Sequence, residues 1–282
     1  MTIKHNPREN KKHPGKSIRL PASHAPICRT LTGLISTVSL LLIFTSFEAA
    51  PTQNKANGIS MVNIYFTHFV GKKPFIPDST YINPFGEKYQ IQRLKYYITN
   101  IEFLNTNNHS KKSFENSYFL IDENNPASKK ISLEGLEGNY NAISFLLGVD
   151  SLHNVSGAQT GALDPLNGMF WTWNSGYVSL KIEGRSPASS LPAKSIEYHL
   201  GGYKGTDKVI RRITLSFPQG LAKMTPGKTI TIFVKLDVNL LFNGIHKLPI
   251  KSNAACTTPG SLARQYAENY ARMFSISNVI NK

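Results

Sequence analysis

Cysteine is nearly missing from this chain of 282 residues, which has two, Cys28 and Cys256. Cys28 precedes an apolar run near the N-terminus and leaves with it if that run is a cleaved leader. Cys256 then stands alone, which excludes an intrachain disulfide framework and a multi-cysteine zinc cage. Three readings of Cys256 stay open: a buried thiol of no special role, an intermolecular bridge, or a soft metal ligand. Acidic residues are also scarce, 17 Asp and Glu against 32 Lys and Arg. Asp122, Asp150, Asp164 and Glu183 mostly fall at strand ends or turns, where a structural cap is the default. Nothing marks the facing carboxylates that a glycosidase needs. There is no G-x-S-x-G elbow and no phosphate-binding loop, so hydrolytic machinery is not evident.

The first fifty residues read as a leader. Lys4, Arg8, Lys11, Lys12, Lys16, Arg19 and Arg29 come first, then an uncharged run over residues 30–47, then Ala49 and Ala50. Positive region, apolar region and small residues in that order describe a secretory signal peptide cleaved near Ala50. The run is close to the lower length of a membrane span, so an uncleaved N-terminal anchor is the alternative. No cysteine follows the run directly, so no lipid attachment site is expected. The chain beyond is expected to be extracytoplasmic, in the periplasm or at the cell surface. It keeps 25 basic and 15 acidic residues, a formal charge of +10. Those lysines are scattered, which fits a solvated surface and not a nucleic-acid tract.

Residues 51–58 read as a flexible lead-in and residues 59–282 as one domain. Its pattern has period two almost throughout. Val62, Ile64, Phe66, His68 and Val70 share a strand face. Ile143, Phe145, Leu147 and Val149 share another, and Val178, Leu180 and Ile182 alternate with Ser179, Lys181 and Glu183. Ile230 to Val238 repeats the pattern, and Tyr118 to Asp122 reads as a short strand. Turn-rich pieces such as Asn83-Pro84-Phe85-Gly86 and Thr225-Pro226-Gly227 separate them. Alternation of this kind predicts an all-β, antiparallel β-sandwich of short strands. One C-terminal α-helix is expected over residues 261–274, with Ser261 as its cap.

Chemistry is expected where histidine and tryptophan concentrate. Five histidines lie beyond the leader: His68, His109, His153, His199 and His246. None is spaced as a local metal motif, so any site must be assembled from distant strands. His68 sits on an apolar face, where a hydrogen-bonded core histidine is the plainer reading. His199 shares a face with Glu197 ahead of Gly201 and Gly202, and reads as an exposed strand histidine. His109 and His153 fall in turn or loop sequence and are expected to be exposed. Both tryptophans, Trp171 and Trp173, stand two apart just after Met169. On an extended strand they share one face, as core or as the wall of a site.

Six blocks carry a family resemblance. They are Phe66-Thr67-His68-Phe69-Val70-Gly71, Leu94-Lys95-Tyr96-Tyr97-Ile98-Thr99-Asn100-Ile101, Phe145-Leu146-Leu147-Gly148-Val149-Asp150, residues 161–184 with Gly168-Met169-Phe170-Trp171-Thr172-Trp173-Asn174-Ser175-Gly176-Tyr177, Tyr198-His199-Leu200-Gly201-Gly202, and residues 267–274. In this order they resemble the MbnP-like domain over nearly all of residues 59–282. The resemblance implies a non-catalytic, extracytoplasmic copper-binding β-sandwich. It implies His68, His199 and Met169 as metal ligands, beside Trp171 or Trp173. It also implies that a tryptophan is oxidised to kynurenine by a di-haem partner of the cytochrome-peroxidase type. Imidazole suits either copper state and thioether favours Cu(I). An intact indole N–H only donates, whereas kynurenine offers an aniline nitrogen and a carbonyl.

Two other readings stand beside this one. A metal-free surface module would present its Tyr- and Trp-rich face to a polymer or a protein. A copper oxidase or redox partner is the weaker one, with no substrate pocket argued by the sequence. Convergence of the His68 and His199 ring nitrogens to within roughly 4 Å across one metal would favour copper, and their separation on opposite ends of the sandwich the metal-free module.

Overall fold

The computed structural model describes residues 58–172 and 176–281. The leader, residues 51–57 of the lead-in, and Trp173 lie outside the described residues. Among the described residues no helix is long and apolar enough to cross a membrane.

Two sheets face each other across one core. In the smaller, the Met61–Val70 strand runs beside Thr229–Asp237, which pairs on its far side with Phe274–Asn281. The larger sheet is built on Lys88–Asn105. One edge of that long strand pairs with Ser110–Asp122. The other edge is shared, with Gly176–Arg185 on Gln90 to Tyr96 and Ala142–Leu147 on Ile98 to Leu104. Beyond that shared edge, Ser195–Gly201 pairs with Gly176–Arg185 and Arg211–Ser216 with Ala142–Leu147. Alternate residues of these strands, among them Ile64, Phe66, Tyr96, Ile98, Phe145, Leu180, Ile182 and Val234, meet in the core. Period two placed them there, because successive side chains leave a strand on opposite faces.

The all-β sandwich with a C-terminal helix is what the alternation predicts, with several departures. Met61–Val70 and Thr229–Asp237 pair in parallel, with Phe66 opposite Val234. Neither sequence carries orientation, and parallel strands are joined by a long crossover, here one that holds most of the larger sheet. Lys88–Asn105 is 18 residues long, far beyond a short strand. It changes neighbours on one edge around Tyr97, and its register shifts around Asn100, which stands at φ +49.

The helix covers Ser261–Tyr270 and not residues 261–274. Gly260 holds the cap position without a side-chain bond, so Ser261 is not the cap. Tyr266 packs on Tyr198 with ring centres 5.0 Å apart. Phe274 has left the helix and turned into the sandwich, 5.6 Å from both Tyr96 and Phe145. The β-branched Ile276, Val279 and Ile280 that follow favour the closing strand. Two helical turns were not foreseen, Ser151–Val155 and Asn239–Phe242.

Cys256 is buried in the Ala255–Cys256 strand beside Ser195–Gly201. Burial pushes its thiol up to about 11, so it is mostly protonated and inert near neutral pH.

Candidate functional site

The predicted site residues divide between the two faces of the larger sheet. Across its strands, Leu200, Leu180 and Tyr96 stand in one row and His199, Lys181 and Lys95 in the next. Neighbouring rows point to opposite faces. Tyr96 points inward, and His68 reaches it from the smaller sheet. His199 therefore points outward, and the sheet itself separates it from His68. The two do not meet on one ion.

His68 is fully committed inside the sandwich. Its side chain is 1% exposed. Nδ1–H donates to the Glu123 carboxylate, which also accepts from Lys129 Nζ at 2.9 Å. A carboxylate only accepts, so Nδ1 carries the proton, and Nε2 lies 2.8 Å from Tyr96 Oη, in hydrogen-bonding distance. Both ring nitrogens are thus engaged within the sandwich. His68, Glu123 and Lys129 line an open cleft of about 390 Å³, together with Tyr65, Phe69, Pro74 and Phe75. The cleft opens where the edge of Met61–Val70 passes from Lys130–Glu134 to Lys73–Pro74.

The outer face gathers the other predicted residues. A β-bulge between Val178 and Leu180 shifts the register of Gly176–Arg185. Val178 therefore leaves the face of Leu180 and Ile182, contrary to the simple alternation, and joins an outer apolar cluster. Tyr97, Val149, Leu163, Met169 and Tyr177 complete that cluster, with Trp171 packed against it. Met169 is fully buried and Trp171 half-buried. The indole lies over Gly201: a methyl group there would stand 2.5 Å from Trp171 Cζ3. Gly201 is two residues after His199 and on the same face, so the absent side chain makes room for the ring.

His199 is braced by charge. Its Nε2–H donates to Glu183 at 2.8 Å, and among the described residues Nδ1 makes no hydrogen bond. Glu183 also accepts from Arg93 at 2.8 Å and pairs with Lys181 at 3.2 Å. Lys181 reaches on to the carbonyl of Gly168 at 3.1 Å, beside Met169. Lys95 similarly holds Asn167 O at 3.3 Å. The Met169–Trp171 segment is thus tied to His199 through Lys181 and Glu183. A histidine held by a carboxylate on one nitrogen presents the other in a defined tautomer and direction.

Sequence reading missed Glu183, Lys181 and Arg93 as partners of His199, and Tyr96 and Glu123 as partners of His68. Their faces were legible, but the cross-strand register that joins them was not. It also misplaced His153, which lies half-buried in Ser151–Val155. Tyr118 Oη stands 2.6 Å from its Nδ1, and Asp150 bonds both. His109 is exposed at a turn, as expected. His246 pairs with Glu268 of the Ser261–Tyr270 helix.

The MbnP family model matches residues 60–258. The chain belongs to the MbnP family. Among solved structures, MbnP from Methylosinus trichosporium is similar at 16% identity, over 77% of this chain and 98% of that one, with a TM-score of 0.49. No curated protein matches.

Among the described residues no three His, Cys, Asp or Glu are placed to hold one metal ion. An outward imidazole and a thioether in an aromatic setting suit soft Cu(I).

Three carboxylates make the fold acid-sensitive. Burial alone would push Glu123 up, but hydrogen bonds from His68 and Lys129 outweigh it and hold its carboxyl below the ordinary range. Arg93, Lys181 and His199 do the same for Glu183, and Tyr118 and His153 for Asp150. A lowered folded value means that the unfolded chain binds more protons in acid. The stabilisation is complete above the ordinary carboxylate values of 4.5 and 3.8 and drains as pH falls through the lower, folded ones. Denaturant midpoints measured from about pH 6 to pH 3 should fall steadily. A flat profile would contradict these assignments.

Proposed function

We propose that this MbnP-family protein is an exported, non-catalytic copper-binding protein whose centre lies on the outer face of the larger sheet. His199 Nδ1 and the Met169 sulfur are its donors and Trp171 is its wall. The observation that carries this reading is Trp171 lying over Gly201, two residues from His199. It supports a site at the one place where a predicted histidine, the thioether and a tryptophan share a face. Glu183 sets the tautomer of His199, Lys181 ties the Met169 segment to it, and the apolar cluster keeps water away.

Trp171 is also the residue we propose for oxidation to kynurenine by a di-haem partner enzyme. The reason is chemical: an indole brings no lone pair, whereas kynurenine would add an aniline nitrogen or a carbonyl as a third donor. The positively charged N-terminal stretch and the apolar run after it support export to the periplasm or cell surface.

Metal content of the purified protein tests the site. About one copper per chain is expected, in line with a single mononuclear centre, with no zinc retained. His199→Ala and Met169→Leu should each lose most of the copper, while His68→Ala, if folded, should keep it. Copper retention by His199→Ala equal to that of the unaltered protein would sink the assignment.

A further inference from the structure

The buried triad Tyr96–His68–Glu123 has no part in the outer-face centre, and its geometry points to a different use. We propose that Tyr96 is a redox-active tyrosine, able to give one electron to a one-electron oxidant at the surface while its phenolic proton passes to His68. In that step Tyr96 O–H and a neutral His68 become a neutral tyrosyl radical and an imidazolium protonated at Nε2, and the oxidant takes the electron. The Nδ1–H bond to Glu123 stabilises the new cation. Re-reduction returns the proton along the same 2.8 Å path, so the step is reversible.

Position and partner distinguish Tyr96 from the other buried tyrosines. Tyr97, Tyr177, Tyr198 and Tyr270 donate to backbone carbonyls, which do not take up a proton. Tyr96 meets an imidazole nitrogen instead, a group that can take up a proton. Burial raises its ordinary phenol value well above the normal one, so the proton does not leave before the electron does. The ring is completely buried between Phe66 and Phe274, where a radical is shielded from solvent and from other radicals. The cleft over His68 and Glu123 brings an oxidant close to the triad without opening the core.

Tyr118 is the competing candidate, since Asp150 and His153 also give its proton somewhere to go. It is partly exposed, however, so a radical there would be quenched quickly. The experiment separates the two. Metal-free full-length protein would be flashed with a ruthenium tris-bipyridine photo-oxidant and a sacrificial electron acceptor, then frozen and examined by electron paramagnetic resonance. A tyrosyl signal persisting after the flash is expected, retained in Tyr118→Phe and lost in Tyr96→Phe. His68→Gln keeps a hydrogen-bonding side chain but removes the base. It should slow tyrosyl formation about a hundredfold, the lower end of what a positioned proton acceptor contributes. A full signal in Tyr96→Phe would overturn the proposal. So would loss of the signal in Tyr118→Phe, or a wild-type rate in His68→Gln, which also decides the matter if Tyr96→Phe does not fold. Copper is absent throughout, so the outcome does not depend on the outer-face centre.

Discussion

Replacing His68 by alanine is expected to lower the stability of this protein by about 3 kcal/mol, the low end for removing one partner from a buried pair. The side chains of His68 and Glu123 are 1% and 8% exposed, so neither is paid back by water when the bond is broken. Glu123 would keep Lys129, which holds the loss at that low end. Tyr96, completely buried, would lose its partner and pay the desolvation of an unpaired hydroxyl. Urea unfolding should show the midpoint shifted down with an unchanged slope, the signature of a stability loss without a change in unfolded surface. His68→Gln should recover part of the loss, because an amide can still meet Tyr96 or Glu123. A change smaller than about 1 kcal/mol would mean that the triad is not formed in solution.

Gly201→Val is expected to damage the candidate copper centre without touching a donor. The new Cβ would stand 2.5 Å from the Trp171 ring, closer than any real contact, so the indole must move off the strand. Overpacking of this kind costs about 2 kcal/mol. The chain has only two tryptophans, both in this segment, so its fluorescence reports the site directly. The emission should shift to the red as the indole gains water, and retained copper should fall toward the level of His199→Ala. Wild-type emission together with wild-type copper content would show that Trp171 does not pack over Gly201. A shifted emission with full copper would remove Trp171 from the centre while leaving His199 and Met169 in place.

The two substitutions probe opposite faces of one sheet, and only His199 belongs to the face of the tryptophan segment. A chain met as sequence offers His68 as the more interesting histidine, because it interrupts an apolar face. Tyr96 and Glu123 answer that interruption with hydrogen bonds, so the plainer reading of His68 describes its surroundings. His199 seemed an exposed strand residue, and gains its interest from Glu183 and Gly201. Neither partner can be recognised locally. Glu183 lies 16 residues away, and Gly201 matters through a ring that arrives from another strand.

Much was nevertheless determined by sequence alone. Period-two alternation assigned the faces of Val62 to Val70 and Ile230 to Val238, because side chains of a strand must alternate and one face must leave water. The same logic put His199 on the exposed face with Glu197. The ordered family-like blocks named the family. What alternation cannot contain is which strands lie side by side, in which direction and in which register. The parallel pairing of Met61–Val70 with Thr229–Asp237 and the bulges at Asn100 and after Val178 are decided by contacts between segments far apart in the chain. A one-residue shift exchanges the two faces of a strand. Only the tertiary structure could therefore say that His199 shares a surface with Trp171 while His68 is sealed on the other side.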